Sequence, residues 1–339
     1  MAKPHVLIVG AGSIGRRHAR NFHSLQCEIS CTDPRQDRLQ QVAAEVPIRN
    51  AFSDVGIAMQ KASEFTGAVI CSPPRFHVEQ SLRITGAGLP VLVEKPLSID
   101  LQTCRQLGRQ RADGAAILLG YSYRWWEPVR RLKALLDLGT IGKLLHAKFV
   151  MSAHLADWHP WERYQEFFMA SKELGGGALL DESHFIDLMV WFFGFPTKLF
   201  ARVEKLSDLE IFTDDFVVLS AVYSSGLRVS IQLDLFGRPH EKQIAIVGET
   251  GTLRCLFDPN EVQIGREPEQ KWTVESFAVE RNDMFMAEAE DFIRIMLDQD
   301  AHISCTVSDG CRVMEIVEAC RESQQRGTEV ALSGGQFEL

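Results

Sequence analysis

Val6-Leu7-Ile8-Val9-Gly10-Ala11-Gly12-Ser13-Ile14-Gly15-Arg16-Arg17-His18 decides the fold of the first half of this chain. Four apolar residues run into a GxGxxG pattern, and polar residues at helical spacing follow it. Gly10 permits a tight turn, Gly12 lets a backbone approach a pyrophosphate, and Gly15 allows close helix packing. Ser13 and Ile14 open the helix whose N-terminus faces the phosphates. Asp33 follows 18 residues after Gly15, near the roughly 20 at which an acidic residue meets adenosine ribose hydroxyls. That carboxylate favours NAD, while Arg35 beside it leaves room for a 2′-phosphate and keeps NADP as the alternative.

Outward from this stretch, short apolar runs recur at 27–32, 68–71, 91–93 and 117–119. Amphipathic segments at 13–25, 35–45, 75–87 and 100–113 separate them, as crossover helices separate the strands of a parallel sheet. Residues 1–120 therefore read as a doubly wound α/β dinucleotide-binding domain. After Gly120 the texture changes to strands at 143–152, 199–205, 216–223, 227–234, 243–247 and 252–256, several joined by short turns such as Ser224-Ser225-Gly226. Helices are expected at 179–193, 282–297 and 308–325. Residues 121–339 thus form an α+β domain with a mostly antiparallel sheet, expected to bind substrate. Strands around 216–219 and 227–235 are read as apolar on both faces, which suits a partner sheet and predicts an oligomer.

Composition narrows the function. The 339 residues carry 36 Lys plus Arg against 45 Asp plus Glu, a net charge of −9. No broad basic face is available for nucleic acid or an acidic membrane. The apolar run near the N-terminus is too short for a signal segment or a membrane span, so a cytoplasmic protein is expected. The eight cysteines form no CxxC pair and no Cys/His cluster. Reduced thiols are expected, and no metal site.

Two segments carry candidate chemistry. Val93-Glu94-Lys95-Pro96 stands at the carboxyl end of an apolar run, where open α/β sheets place their ligands; Lys95 either reaches the nicotinamide edge or is a surface lysine in a turn. Gly175-Gly176-Gly177 leads into Ala178-Leu179-Leu180-Asp181-Glu182-Ser183-His184-Phe185-Ile186-Asp187. If that helix is regular, Asp181, His184 and Asp187 lie close to one face. An imidazole flanked by carboxylates is a candidate general base. The competing reading makes Asp181 and Glu182 helix-end complements and His184 a core residue.

Together these residues resemble the Gfo/Idh/MocA oxidoreductase family, which includes glucose-fructose oxidoreductase and inositol dehydrogenase. The resemblance runs through Gly10 to Gly15 with His18 and Asn21, Ser72-Pro73-Pro74 with His77, Glu94-Lys95-Pro96, Gly120-Tyr121-Ser122-Tyr123-Arg124-Trp125, Gly139-Thr140-Ile141-Gly142-Lys143, and the segment from Gly175 to Asp187. It implies a Rossmann domain in which Ser72, Pro73, His77, Glu94 and Lys95 join the glycines and Asp33 around NAD. It also implies Lys95 and His184 as catalytic residues at a substrate hydroxyl, supported by Asp181. One departure weakens Asp181: many relatives place that aspartate four residues before the histidine, and here the separation is three. The variant around His184, with Trp158-His159-Pro160-Trp161 and Gly237-Arg238-Pro239-His240, looks like a branch associated with sugars or nucleotide sugars of bacterial surface glycans.

The implied activity is hydride transfer at a carbinol carbon of a sugar, polyol or nucleotide sugar. Arg124, Trp158, His159, Arg163, Tyr164, Lys172, Arg238 and His240 are the candidate substrate contacts. Relatives commonly form dimers or tetramers, so a homodimer or homotetramer is expected. Transient-redox glycoside hydrolysis or epimerisation, and a non-catalytic NAD-binding sensor, are the alternatives.

Overall fold

The computed structural model describes residues 3–110, 115–158, 163–166, 168–266, 268, 271–298 and 300–334. In chain order the first elements are β1 (His5–Val9), α1 (Ser13–Ser24), β2 (Glu28–Thr32), α2 (Gln36–Glu45), β3 (Ile48–Phe52), α3 (Val55–Met59), β4 (Gly67–Ile70), α4 (His77–Thr85), β5 (Val91–Glu94), α5 (Leu101–Gln110) and β6 (Ile117–Gly120). There follow α6 (Glu127–Asp137), β7 (Leu144–Ser152), α7 (Ala178–Asp181), α8 (His184–Phe193), β8 (Lys198–Glu204), β9 (Phe216–Val222), β10 (Arg228–Asp234), β11 (Glu241–Gly248), β12 (Gly251–Phe257), β13 (Asn260–Arg266), β14 (Trp272–Ser276), α9 (Arg281–Leu297), α10 (Val307–Arg326) and β15 (Val330–Ala331).

The chain divides into two compact units, Met1–Ser122 with Asn282–Cys311, and Tyr123–Arg281 with Arg312–Glu338. The sequence reading assigned everything after residue 120 to the second domain, and residues 282–311 depart from it. Side chains explain the departure: on α9, Phe292 meets Phe22 edge-on at 6.1 Å and Phe285 meets His18 at 6.0 Å. Asn282 also donates to Asn21 Oδ1 at 3.0 Å.

The first unit holds a six-stranded sheet in the order β3-β2-β1-β4-β5-β6, every pairing parallel. β1, β4, β5 and β6 are buried throughout, which is why they read as continuous apolar runs. The strand order reverses direction between β1 and β4, so the crevice outside their carboxyl ends is where such a sheet takes a ligand.

The second unit holds a nine-stranded sheet in the order β14-β13-β12-β11-β7-β10-β9-β8-β15. Among the described residues of this sheet, only β7 and β10 pair in parallel. One face is apolar: Val229, Ile231 and Leu233 of β10 lie beside Val217, Leu219 and Ala221 of β9, all buried. The alternate β10 positions are Arg228, Ser230, Gln232 and Asp234, all polar and only the last of them buried. The second face is therefore mixed, correcting the expectation of apolar positions on both faces of 227–235. Strict alternation places the polar residues of β10 on that second face.

All eight cysteines are buried thiols outside any disulfide. Burial pushes the Cys27 thiol up to about 11 and those of Cys31, Cys255 and Cys320 up to about 12. Among the described residues no helix is long and apolar enough to cross a membrane.

Candidate active site

In the first unit the glycine pattern forms a turn that side chains would destroy. Gly10 has φ +93°, and a Cβ there would meet Ser72 N at 2.8 Å, so the loops after β1 and β4 touch at the reversal point. A Cβ at Gly15 would lie 1.9 Å from the Gly10 carbonyl oxygen. At Gly12, by contrast, a Cβ would meet only the end of the Arg38 side chain, at 3.8 Å. The backbone there is open to a ligand. α1 begins with no side-chain cap and no acidic residue in its first turn, which leaves the exposed Ser13 and half-buried Ile14 suited to phosphate oxygens.

Asp33 is buried at the end of β2. Its Oδ2 accepts from Ala11 N–H and its Oδ1 from Arg35 N–H, both at 2.8 Å. The carboxylate is thus fixed against the glycine turn with lone pairs left for ribose hydroxyls. Arg35 turns away to pair with Asp37. Arg38, which the sequence reading missed, lies 3.9 Å from Asp33 Oδ2. These residues fit a dinucleotide.

His77 is fully buried, with Nδ1 2.9 Å from the Pro96 carbonyl and Nε2 2.7 Å from the Ser72 carbonyl. Burial lowers its basicity, which suits a neutral ring donating to one carbonyl. It ties the Ser72-Pro73 turn to the Lys95-Pro96 turn. Ser72 donates to Gln80 at 2.6 Å, and both Ser72 and Pro73 remain half-exposed beside the turn.

Lys95 follows β5 directly, half-buried, and its N–H lies 3.3 Å from Glu94 Oε2. Glu94 Oε1 is 2.8 Å from His18 Nε2. Beside this pair is Glu288 of α9, fully buried, with neither carboxyl oxygen hydrogen-bonded. Burial and the neighbouring Glu94 push its carboxyl well above the ordinary range. The three side chains offer a nitrogen and two oxygens within 4.8 Å of one another. They could hold a divalent cation only with Glu288 ionised, which its burial opposes. Glu288 stands in the apolar spacing Phe285, Glu288, Ala289, Phe292, and that misplaced carboxyl was the signal available in the sequence.

In the second unit the expected continuous helix over 179–193 is broken. α7 ends at Asp181, the chain turns through Glu182 and Ser183, and α8 starts at His184. Asp181, His184 and Asp187 therefore do not share one regular helical face. The turn tightens because Ser183 N–H bonds back to Leu180 O and Phe185 N–H to Glu182 O, three residues apart. The glycine lead-in is tied down from afar. Asp214 Oδ2 accepts from Leu179 N–H at 2.8 Å, and Gly177 sits at φ +110° against the same carboxylate.

Asp181 and His184 are both buried, and the His184 ring stacks on Tyr123 at 4.3 Å with 27° between planes. Asp187 instead binds Arg124 through Nε at 2.9 Å and Nη2 at 2.7 Å, both side chains almost completely buried. Arg124 was expected to meet substrate. Its fork is spent on a pair inside the unit.

Lys242 Nζ donates to the Tyr123 hydroxyl at 2.5 Å. Burial alone would pull this ammonium down, but Tyr123 and the Glu182 carboxylate hold it above the ordinary lysine value. The sequence reading missed it. Alternation gives the signal, since Lys242 shares its face of β11 with Ile244 and Ile246. Arg238 pairs with Asp157 at 2.7 and 2.8 Å, placing it next to the half-buried Trp158. The Tyr164 hydroxyl accepts from Glu210 N–H, while Arg163, Lys172 and His240 are exposed. His159 lies outside the described residues.

Residues 5–118 match the model of an oxidoreductase family with an NAD-binding Rossmann fold. Residues 129–254 match the Gfo/Idh/MocA C-terminal domain. The chain belongs to the Gfo/Idh/MocA oxidoreductase family. Its first unit is the family's NAD-binding Rossmann domain. The chain is 25% identical over 342 residues to an inositol 2-dehydrogenase of Pseudomonas syringae pv. syringae (strain B728a), covering 96% of each. The same fold is found in levoglucosan dehydrogenase in complex with NADH and levoglucosan, with TM-score 0.88, 17% identity, and coverage of 98% of this chain and 100% of that one. It is found also in the WlbA dehydrogenase from Bordetella pertussis in complex with NADH and UDP-GlcNAcA, with TM-score 0.79, 20% identity, and coverage of 98% and 99%.

Proposed function

We propose that this Gfo/Idh/MocA oxidoreductase transfers a hydride between a nicotinamide and a carbinol carbon of a sugar, polyol or nucleotide sugar, with Lys95 and His184 serving the reacting hydroxyl. The observation that carries the reading is Lys95 at the carboxyl end of β5 in a sheet whose glycine turn and Asp33 fit NAD. The end-to-end likeness to an inositol 2-dehydrogenase supports a polyhydroxylated substrate. The likeness to the WlbA dehydrogenase keeps a nucleotide sugar in the same class.

NAD, when bound, supplies the carbon that accepts the hydride. His184 takes the hydroxyl proton in the oxidative direction. Lys95 hydrogen-bonds the same oxygen and stabilises its developing negative charge. Asp181 supports the imidazolium. Trp158, Arg163, Tyr164, Lys172 and Arg238 of the second unit are the candidate contacts to other hydroxyls. Asp33 recognises the adenosine ribose, with NADP the alternative cofactor through Arg38. We place the enzyme in the cytoplasm as a homodimer or homotetramer.

The test follows reduced-nicotinamide absorbance with NAD or NADP and a panel of polyols, sugars, uronic acids and nucleotide sugars, beside Lys95→Ala and His184→Ala. Substrate-dependent reduction should fall by about 10²–10⁴-fold in each variant, with cofactor binding retained. Product without net reduction would replace the dehydrogenase by transient-redox chemistry. Wild-type turnover in either variant would remove that residue from the mechanism.

A further inference from the structure

In the second unit three side chains from three separate elements are joined in sequence, and the chemistry proposed above uses only the last. Lys242 reaches from β11 to the Tyr123 hydroxyl, and the Tyr123 ring stacks on His184 at the start of α8. The phenol is held elsewhere by apolar rings, Phe257 at 5.2 Å and Phe185 at 6.0 Å. Its hydroxyl is its one polar handle. The Lys242 ammonium is 5.1 Å from the ring centroid yet 2.5 Å from the hydroxyl oxygen, so it sits beyond the hydroxyl edge rather than over the ring face.

We propose that Lys242 and Tyr123 are positioning residues for His184: the ammonium fixes the phenol, the phenol fixes the plane of the imidazole, and the positive charge keeps the imidazole in its proton-accepting form. This rests on the reading of His184 as the base.

The surrounding charges explain why a cation is placed there. Asp181, Glu182 and Asp187 all lie within three residues of His184, and each is buried. Asp187 is matched by Arg124, the residue after Tyr123. Glu182 attracts Lys242 and Arg281 opposes it, while burial together with Lys242 and Arg281 lowers the basicity of the nearby His240, against the pull of Asp258. With Lys242 in place, Glu182 is balanced. Without it, buried carboxylates beside the imidazole favour its charged form, and a charged imidazole cannot take the hydroxyl proton. A half-buried cation set beside the Tyr123 and Phe257 rings is unfavourable without such a partner, so simple filling of the sheet face does not account for a lysine at this position.

The experiment is an NMR titration of the histidine Cε1–H signals in the NAD-bound protein, with the His184 signal identified by its loss in His184→Gln. In Lys242→Met the His184 midpoint should rise by about one pH unit, while Lys242→Arg should stay near the wild type. Tyr123→Phe, which keeps the stack and loses the anchor, should fall between them. In Glu182→Gln the midpoint should drop, which keeps a second reading should Lys242→Met fail to fold. An unchanged midpoint in a folded Lys242→Met, or in Glu182→Gln, would overturn the inference. Retained turnover in His184→Gln would instead sink the assignment of the base, whatever the titration shows.

Discussion

The Glu288 carboxyl lies well away from its ordinary state. It is fully buried, without a hydrogen-bond partner, and burial raises it well above the unfolded value. The linkage has a definite sign. Below the unfolded carboxyl value, about 4.3, both states are protonated and the group adds no pH dependence. As pH rises from there toward the folded value, the unfolded chain ionises and the folded chain does not, so stability is progressively lost. Glu288→Gln removes that loss while keeping the shape. Its melting temperature relative to the wild type should therefore climb as pH rises above about 5. Parallel curves in the two proteins would mean that Glu288 is ionised in the folded state.

Among the elements, the α7–α8 break shows where the sequence stopped being informative. Strands β1, β4, β5 and β6 were legible because burial on both faces writes an unbroken apolar run. β3 was missed because Ile48-Arg49-Asn50-Ala51-Phe52 lies at a sheet edge and interleaves polar residues. β13 went unread although Val262 and Ile264 alternate with polar neighbours, and β14 is largely exposed, leaving little hydrophobic signal. The candidate site was half legible. The glycine turn, Asp33 and Lys95 follow from local sequence, whereas Asp214 and Lys242 are brought to α7 and α8 from distant strands or loops, and no local pattern records that. The same dependence makes a prediction about Gly177. Gly177→Ala would force a side chain into φ +110° and onto the Asp214 carboxylate that holds Leu179 N–H. It should cost about 1–3 kcal/mol in urea unfolding. NAD affinity, set by residues of the first unit, should stay within about twofold, less than 0.5 kcal/mol. A variant as stable as the wild type would show that the turn relaxes at no cost.

For the molecule as a whole, the NAD-binding domain and net charge of −9 make cofactor linkage the simplest global measurement. A ligand that binds only the folded chain stabilises it by about 2.7 kcal/mol at 100 times its Kd. Thermal unfolding followed across an NAD series should move upward by several degrees. Substituting Asp33 by Ala should flatten that dependence, because it removes both the ribose acceptor and the partner of Ala11 N–H. An undiminished NAD response in that variant would assign the ribose to another residue.

The buried thiols give this fold a built-in reporter of its own openings. A disulfide reagent needs access as well as a thiolate, and the native chain buries all eight cysteines. Each modification event would therefore date a transient opening of the element that carries it. Cys31 keeps time for β2 beneath the cofactor turn, Cys255 for β12 in the nine-stranded sheet, and Cys320 for α10.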